Sequence, residues 1–332
     1  MKEGLDPETF CYPHLNSSCR RPSLPYVEAM LIYVLLSFIS LLTVALNLLV
    51  IISIAHFRQL HTCTNLLLLS LAVSDLFVGL ILMPVEIIYI ERCWNLGDVV
   101  CSGYYLIDYV ITSASVANMV LISVDRYMAI CDPLSYNSKV TTQRAKLCVL
   151  LCWLCSILYR VATMHDQLEH PGMSNSCAGE CVVIINHVSG AIDLVCTFII
   201  PILIIIILYL RIFVVAVSQA RALRSQMSVT TQQKRQETAN RQELKAARIL
   251  GLVVVVFLCC FCPYYVPSLV GEDTAVDASS VDVEIWLAHF NSCLNPVIYA
   301  FFYPWFRKSI KLILSLKIFK SGSKDLRVAE TL

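Results

Sequence analysis

The sequence is poor in charge. Asp, Glu, Lys and Arg make up 15 % of its 332 residues against 58 % hydrophobic, and the mean hydropathy is +0.71. A soluble domain of this length does not sustain that balance, so the chain reads as a polytopic membrane protein. A net charge of +1 gives no bulk attraction to nucleic acid or to an acidic partner. Met1 to Tyr26 holds no apolar run of the kind a cleavable signal needs. The first hydrophobic segment is therefore expected to act as its own insertion signal. No internal repeat is visible, and no metal-ligand cluster, phosphate loop or nucleophile arrangement stands out, which argues against an enzyme. Cysteine, by contrast, is plentiful at sixteen. Most cysteines lie within hydrophobic runs and read as small apolar fillers. Cys11, Cys19, Cys93, Cys101, Cys177 and Cys181 lie in or beside polar segments instead.

Seven apolar segments are each near or above the ~20 residues that a spanning helix needs. They fall at 27–54, 63–90, 99–131, 146–165, 187–217, 246–270 and 281–303. The expected architecture is all-α: an N-terminal segment 1–26, a seven-helix bundle over 27–303, an interfacial helix 304–319 and a tail 320–332. If the N-terminus lies outside, the outer cations are Lys2, Arg20, Arg21, Arg92 and, at a span end, Arg160; the remaining 20 of 25 lie inside. The excess of inner Lys and Arg favours that orientation. The last outer loop carries Glu272, Asp273, Asp277, Asp282 and Glu284, either as a solvated loop or as a negative mouth that concentrates cations. Asn16-Ser17-Ser18 is a glycosylation sequon on the expected outer face. Disulfides are allowed among the outer cysteines, but spacing leaves their pairing open. The inner stretch from Ala220 to Arg248 is basic, as orientation alone would make it. Pro304 to Phe319 alternates apolar and basic residues in the pattern of an amphipathic helix on the inner leaflet.

The third segment carries Asp108 near its outer end and Asp125-Arg126-Tyr127 at its inner end. The 18 steps from Asp108 to Arg126 span roughly 27 Å of helix, close to the thickness of a bilayer core. Ionisable side chains at such depths are costly and mark function.

Markers in every span resemble a rhodopsin-like G protein-coupled receptor: Asn47; Ser70-Leu71-Ala72 with Asp75; Asp125-Arg126-Tyr127; Trp153; Pro201 and Tyr209; Phe257 with Phe261-Cys262-Pro263; Asn295-Pro296 with Tyr299. The stretch Asn291-Ser292-Cys293-Leu294-Asn295-Pro296 through Tyr299, Tyr303, Trp305 and Phe306 resembles the fingerprint of trace amine-associated receptors. Cys177-Ala178-Gly179-Glu180-Cys181 is similar to that family as well. The resemblance implies disulfides Cys101–Cys181 and Cys19–Cys177, leaving Cys11 and Cys93 without an assigned partner.

It also implies that Asp108 takes a ligand ammonium, as an alkylammonium leaving water needs a carboxylate. Asp193, eight residues before Pro201, is a second acid at the level of the Asp108 pocket, with no obvious basic neighbour. An acid at both places resembles the diamine-detecting branch of bony fish. The expected ligand is then a putrescine- or cadaverine-like diamine bridging Asp108 and Asp193, sensed by an olfactory receptor. The alternative is a monoamine held by Asp108 alone, and an amine transporter is the rival of another class. Thr112, Phe261, Tyr264, Tyr265 and Trp286 are candidate lining residues, with cation–π contact available from Phe261 and the two tyrosines. His289 stands where the family usually has tyrosine, and Phe261 where tryptophan is commoner. A protonated His289 is expected to compete with the ligand, so that mild acidification weakens binding.

Asp75, Ser115, Asn291 and Asn295 resemble the superfamily's sodium cluster. The resemblance assigns activation to Asp125, Arg126, Tyr127, Tyr209, Phe257, Pro263, Pro296 and Tyr299, with Arg126 leaving Asp125 for Tyr209 and Tyr299 as the sixth helix swings out. The partner implied is a stimulatory or olfactory G protein α-subunit that raises cyclic AMP, at the plasma membrane or in the cilia of olfactory sensory neurons.

Overall fold

The computed structural model describes residues 10–21, 25–90, 92–185, 187–225, 251–265, 274–277, 283–320, 323–326 and 328. Most of the inner basic stretch, and Glu272, Asp273 and Asp282 of the acidic loop, lie outside the described residues.

The chain is a bundle of seven helical segments. The first runs over Tyr26–His56, the second over Cys63–Phe77 and Met83–Tyr89 joined by a π turn at Val78–Leu82. The third is Asp98–Cys131 and the fourth Thr142–Thr163. The fifth comprises His187–Asp193, a π turn at Leu194–Ile199, and Ile200–Ser225. The sixth is described over Gly251–Tyr265, and the seventh is Val283–Phe302. Among the described residues, five of these are long and apolar enough to cross a membrane. Thr62 and Thr141 cap the second and fourth helices, each accepting the amide of the residue three places on.

Both π turns come just before a proline, Pro84 and Pro201. A proline ring displaces the carbonyl one turn back and offers no N–H, so the helix widens by a residue to re-pair its groups. Those two wide turns set the side-chain direction at the disulfide-bearing end of the second and fifth spans.

The polarity is that of a protein in lipid. Leu31, Val34, Leu35, Phe38 and Leu41 face outward, while Asn47, Asp75, Asn118, Asp125, Arg126 and Asn295 are buried. Helix hydrogen bonds satisfy the backbone, so the outward face can be built largely from apolar side chains. The third helix is central and packs against the second, fourth and fifth.

One end of the bundle is stapled. The strand β1, Val182–Ile185, pairs antiparallel with β2, Thr274–Asp277. Cys101–Cys181 and Cys19–Cys177 form as the family resemblance implied. A third bridge, Cys11–Cys93, joins the two cysteines left over. Gly179 makes the close approach possible: its φ is +102°, and a Cβ there would lie 2.7 Å from Cys11 Cβ. Its carbonyl accepts from Trp94 N at 2.8 Å, and Cys19 N donates to Ala178 O at 3.0 Å, so the N-terminal segment is woven into the loop.

At the other end Tyr303 leaves helical geometry and Pro304–Leu314 forms the expected amphipathic helix, shorter than the 304–319 read from sequence. Two short 3₁₀ turns, Lys317–Phe319 and Ser323–Asp325, follow. Phe306 is buried in the bundle, and Leu314 and Phe319 are exposed.

Candidate functional site

A small cavity opens between the third, sixth and seventh helices below the stapled end. Asp108, Thr112, Phe261, Tyr264 and His289 line it together with Ser115, Asn291 and Ser292. Five of the eight expected ligand residues therefore meet in one place, and the cavity continues toward the expected sodium cluster. The other three lie apart from this lining. Tyr265 stacks on Phe198 and shares a hydrogen bond with Thr197 at 3.1 Å. Trp286 meets the His289 ring edge-on, with centroids 6.3 Å apart.

Asp108 is not alone with the histidine. His289 Nε2 is 3.5 Å from Asp108 Oδ1, and His289 Nδ1 is 3.4 Å from Glu86 Oε2. Tyr104 donates to the other oxygen of Glu86 at 3.1 Å. Glu86 was passed over in the sequence, although an acid in an apolar run was the signal that could have found it.

Asp193 corrects an expectation. It has a basic neighbour: Arg160 Nη1 donates to Asp193 Oδ1 at 2.6 Å, and the same oxygen accepts from Tyr159 at 3.1 Å. Arg160 also donates from Nε to Ser113 Oγ at 2.6 Å, and its guanidinium lies over the rings of Tyr109 and Tyr159. The arginine had been counted only as a topology marker at the end of the fourth span. Burial forces it to pair, and the nearest carboxylate is across the interface on the fifth helix.

Residues 46–299 match the 7 transmembrane receptor (rhodopsin family). Across nearly the whole length, the chain is similar to trace amine-associated receptor 13c of Danio rerio, at 35 % identity with 98 % of each chain covered. It is 38 % identical to trace amine-associated receptor 8a of Rattus norvegicus, with 96 % of each covered. Against trace amine-associated receptor 1 of Mus musculus it is 37 % identical, covering 93 % of this chain and 95 % of that one. The chain belongs to the trace amine-associated receptors. It is thus a G protein-coupled receptor, not an enzyme and not a transporter.

In this trace amine-associated receptor the Asp125-Arg126-Tyr127 motif is closed. Arg126 Nη2 is 2.6 Å from Asp125 Oδ2, and both are buried. Arg126 also donates to Thr64, whose hydroxyl donates to Asp125 Oδ2 at 2.8 Å. Tyr136, on the short helix Pro133–Lys139, donates to Asp125 Oδ1 at 2.8 Å. Burial first, and then the Asp125 carboxylate, push its phenol above the usual tyrosine range. Thr64 and Tyr136 are a second pair missed in the sequence. The Tyr209 and Tyr299 hydroxyls have no hydrogen-bond partner among the described residues. Tyr127 packs against Ile130 and Ile212, and Phe257 stacks on Phe261 at 4.4 Å. Pro263 lies in the sixth helix and Pro296 within the seventh.

Asn295 donates to Asp75 Oδ2 at 2.9 Å. Asp75 Oδ1, Asn291 Oδ1 and Asn295 Oδ1 are buried oxygens without a donor among the described residues, a set that suits a small hard cation. Ser115, expected in that set, donates to Ser74 at 3.1 Å instead. Asn16 is exposed.

Proposed function

We propose that this receptor detects small cationic amines whose ammonium docks on Asp108, and that it answers through a stimulatory or olfactory G protein α-subunit that raises cyclic AMP. The observation that carries this reading is Asp108 itself: it is the acid that lines the cavity, among Thr112, Phe261 and Tyr264. A carboxylate and an ammonium about 4 Å apart attract by roughly 4 kcal/mol at the effective dielectric of a protein site. The aromatic rings offer cation–π contact in addition. The stapled end with exposed Asn16, a glycan acceptor, faces the outside, and the end with Arg126 faces the G protein. There, ligand binding favours the state in which Arg126 leaves Asp125 and Thr64 for Tyr209 and Tyr299. A sodium ion held by Asp75, Asn291 and Asn295 would neutralise a buried carboxylate and favour the resting state.

A diamine bridging Asp108 and Asp193 is the second reading. One observation favours it: although Arg160 and Tyr159 both donate to its Oδ1, the Asp193 side chain keeps 22 % exposure, so an ammonium can still reach the carboxylate. Against it, the carboxylate already has a cation. The test is cyclic AMP in cells displaying the receptor, titrated with diamines of increasing length beside their monoamine counterparts, with Asp193→Asn in parallel. Monoamines that work as well as diamines, and an Asp193→Asn receptor that responds unchanged, support Asp108 alone. A diamine response that monoamines cannot reproduce and that Asp193→Asn loses supports the bridge.

A further inference from the structure

Glu86 is the buried acid for which neither reading has a use. It sits just past the π turn of the second span, 7 % exposed, and it faces His289 rather than lipid. The imidazole is 5 % exposed and lies between two carboxylates, 3.4 Å from Glu86 on one nitrogen and 3.5 Å from Asp108 on the other. A neutral imidazole has one N–H and one lone pair, so against two carboxylates one nitrogen would present its lone pair to a negative oxygen. Only the imidazolium has a hydrogen for each. Glu86 Oε2 and His289 Nδ1 are buried without a hydrogen-bond partner among the described residues, and they meet each other at 3.4 Å as an ion pair, so it is charge that accounts for their burial together. Among the described residues, the other groups around the imidazole carry no charge to offset: Tyr104 of the third span donates to Glu86, Tyr264 of the sixth lines the cavity, and Trp286 lies on its own helix.

We propose that Glu86 and His289 set the charge of ligand this receptor accepts. Glu86 is a positioning residue that holds His289 as an imidazolium against Asp108, and the triad selects monoammonium ligands over diammonium ligands of the same length. The inference rests on the amine reading above. Two carboxylates and one imidazolium leave one net negative charge, which one ammonium neutralises. Arg160 already neutralises Asp193. A second ammonium therefore enters a site with no charge left for it, and it pays desolvation without a partner. Removing the internal cation reverses the balance, because Glu86 and Asp108 then stand as two unmatched acids on one cavity wall.

The experiment compares pentylamine and cadaverine in cyclic AMP assays on the full-length receptor, with surface display measured for each variant. The wild type is expected to prefer pentylamine. His289→Gln is expected to move the potency ratio at least about tenfold toward cadaverine. Adding Glu86→Gln to it should return the preference to pentylamine, a reversal that a merely structural Glu86 would not produce. His289→Asn takes the place of His289→Gln if the latter does not reach the surface. A displayed histidine variant with an unchanged ratio, one silent to both amines, or a wild type that prefers cadaverine overturns the charge selection. A displayed wild type that responds to neither these nor any other amine overturns the amine reading itself.

Discussion

Two half-buried acids lie toward the stapled end of this bundle, and they are solved differently. Asp193 is neutralised by Arg160, a cation that keeps its proton at any physiological pH and is pinned by Ser113 and two aromatic rings. Asp108 is met by His289, whose charge is conditional and shared with Glu86. The Arg160 pair is architecture, tying the fourth helix to the fifth. The His289 arrangement is adjustable, and it lies on the cavity. An acid in a membrane span is thus not informative until its counter-charge is known.

The sharpest way to break this contrast is Asp108→Asn. With the ammonium's partner removed, agonist potency should fall by about 100-fold or more while surface display holds, read as cyclic AMP dose–response. Arg160→Met comes next. It leaves the half-buried Asp193 with the Tyr159 hydroxyl but without its cation, at a cost of up to about 3 kcal/mol, and should show as lost surface display or a lowered melting temperature of the purified receptor. The double variant Arg160→Met/Asp193→Leu should recover most of that loss, since a well-packed apolar pair replaces the ion pair at little cost. If the single variant folds as well as the wild type, Arg160–Asp193 is not architecture. A smaller effect concerns pH. The sequence expectation of weaker binding on mild acidification assumed an imidazole with a proton still to gain. With the ring already an imidazolium paired with Glu86 and Asp108, agonist potency should stay flat as the medium is made mildly acidic, and a steep loss would show that the ring starts neutral. The smallest effect is expected from Cys11→Ala with Cys93→Ala. The bridge closes a long stretch of chain, yet Cys19–Cys177 already fixes the same segment, so the melting temperature should drop by a few degrees and potency hardly at all.

The architecture was legible because lipid imposes it. Long apolar runs and a marker in each span led to the observed bundle. The cavity was legible in part: Asp108, Thr112, Phe261, Tyr264 and His289 were expected together and lie together. What escaped depends on contacts between spans. Arg160 was read by its position along the chain, whereas its role comes from a fifth-helix carboxylate 33 residues away. Glu86 disappeared into an apolar run because Pro84 and the wide turn before it change which way the helix faces. Cys11–Cys93 escaped because pairing among six cysteines is decided by where a loop folds, here by the left-handed Gly179.

The two wide turns carry a consequence for how such a receptor changes its taste. Each holds one residue more than an α-turn needs, and everything beyond it on the helix is rotated by about 100° relative to a regular helix. Glu86 follows the first of them, and Asp193 borders the second. Deleting a single apolar residue from Val78–Leu82 would swing Glu86 away from His289 and another side chain into its place, with no substitution at any residue that touches the ligand. Length, in these two segments, is a dial for recognition as much as side-chain identity is.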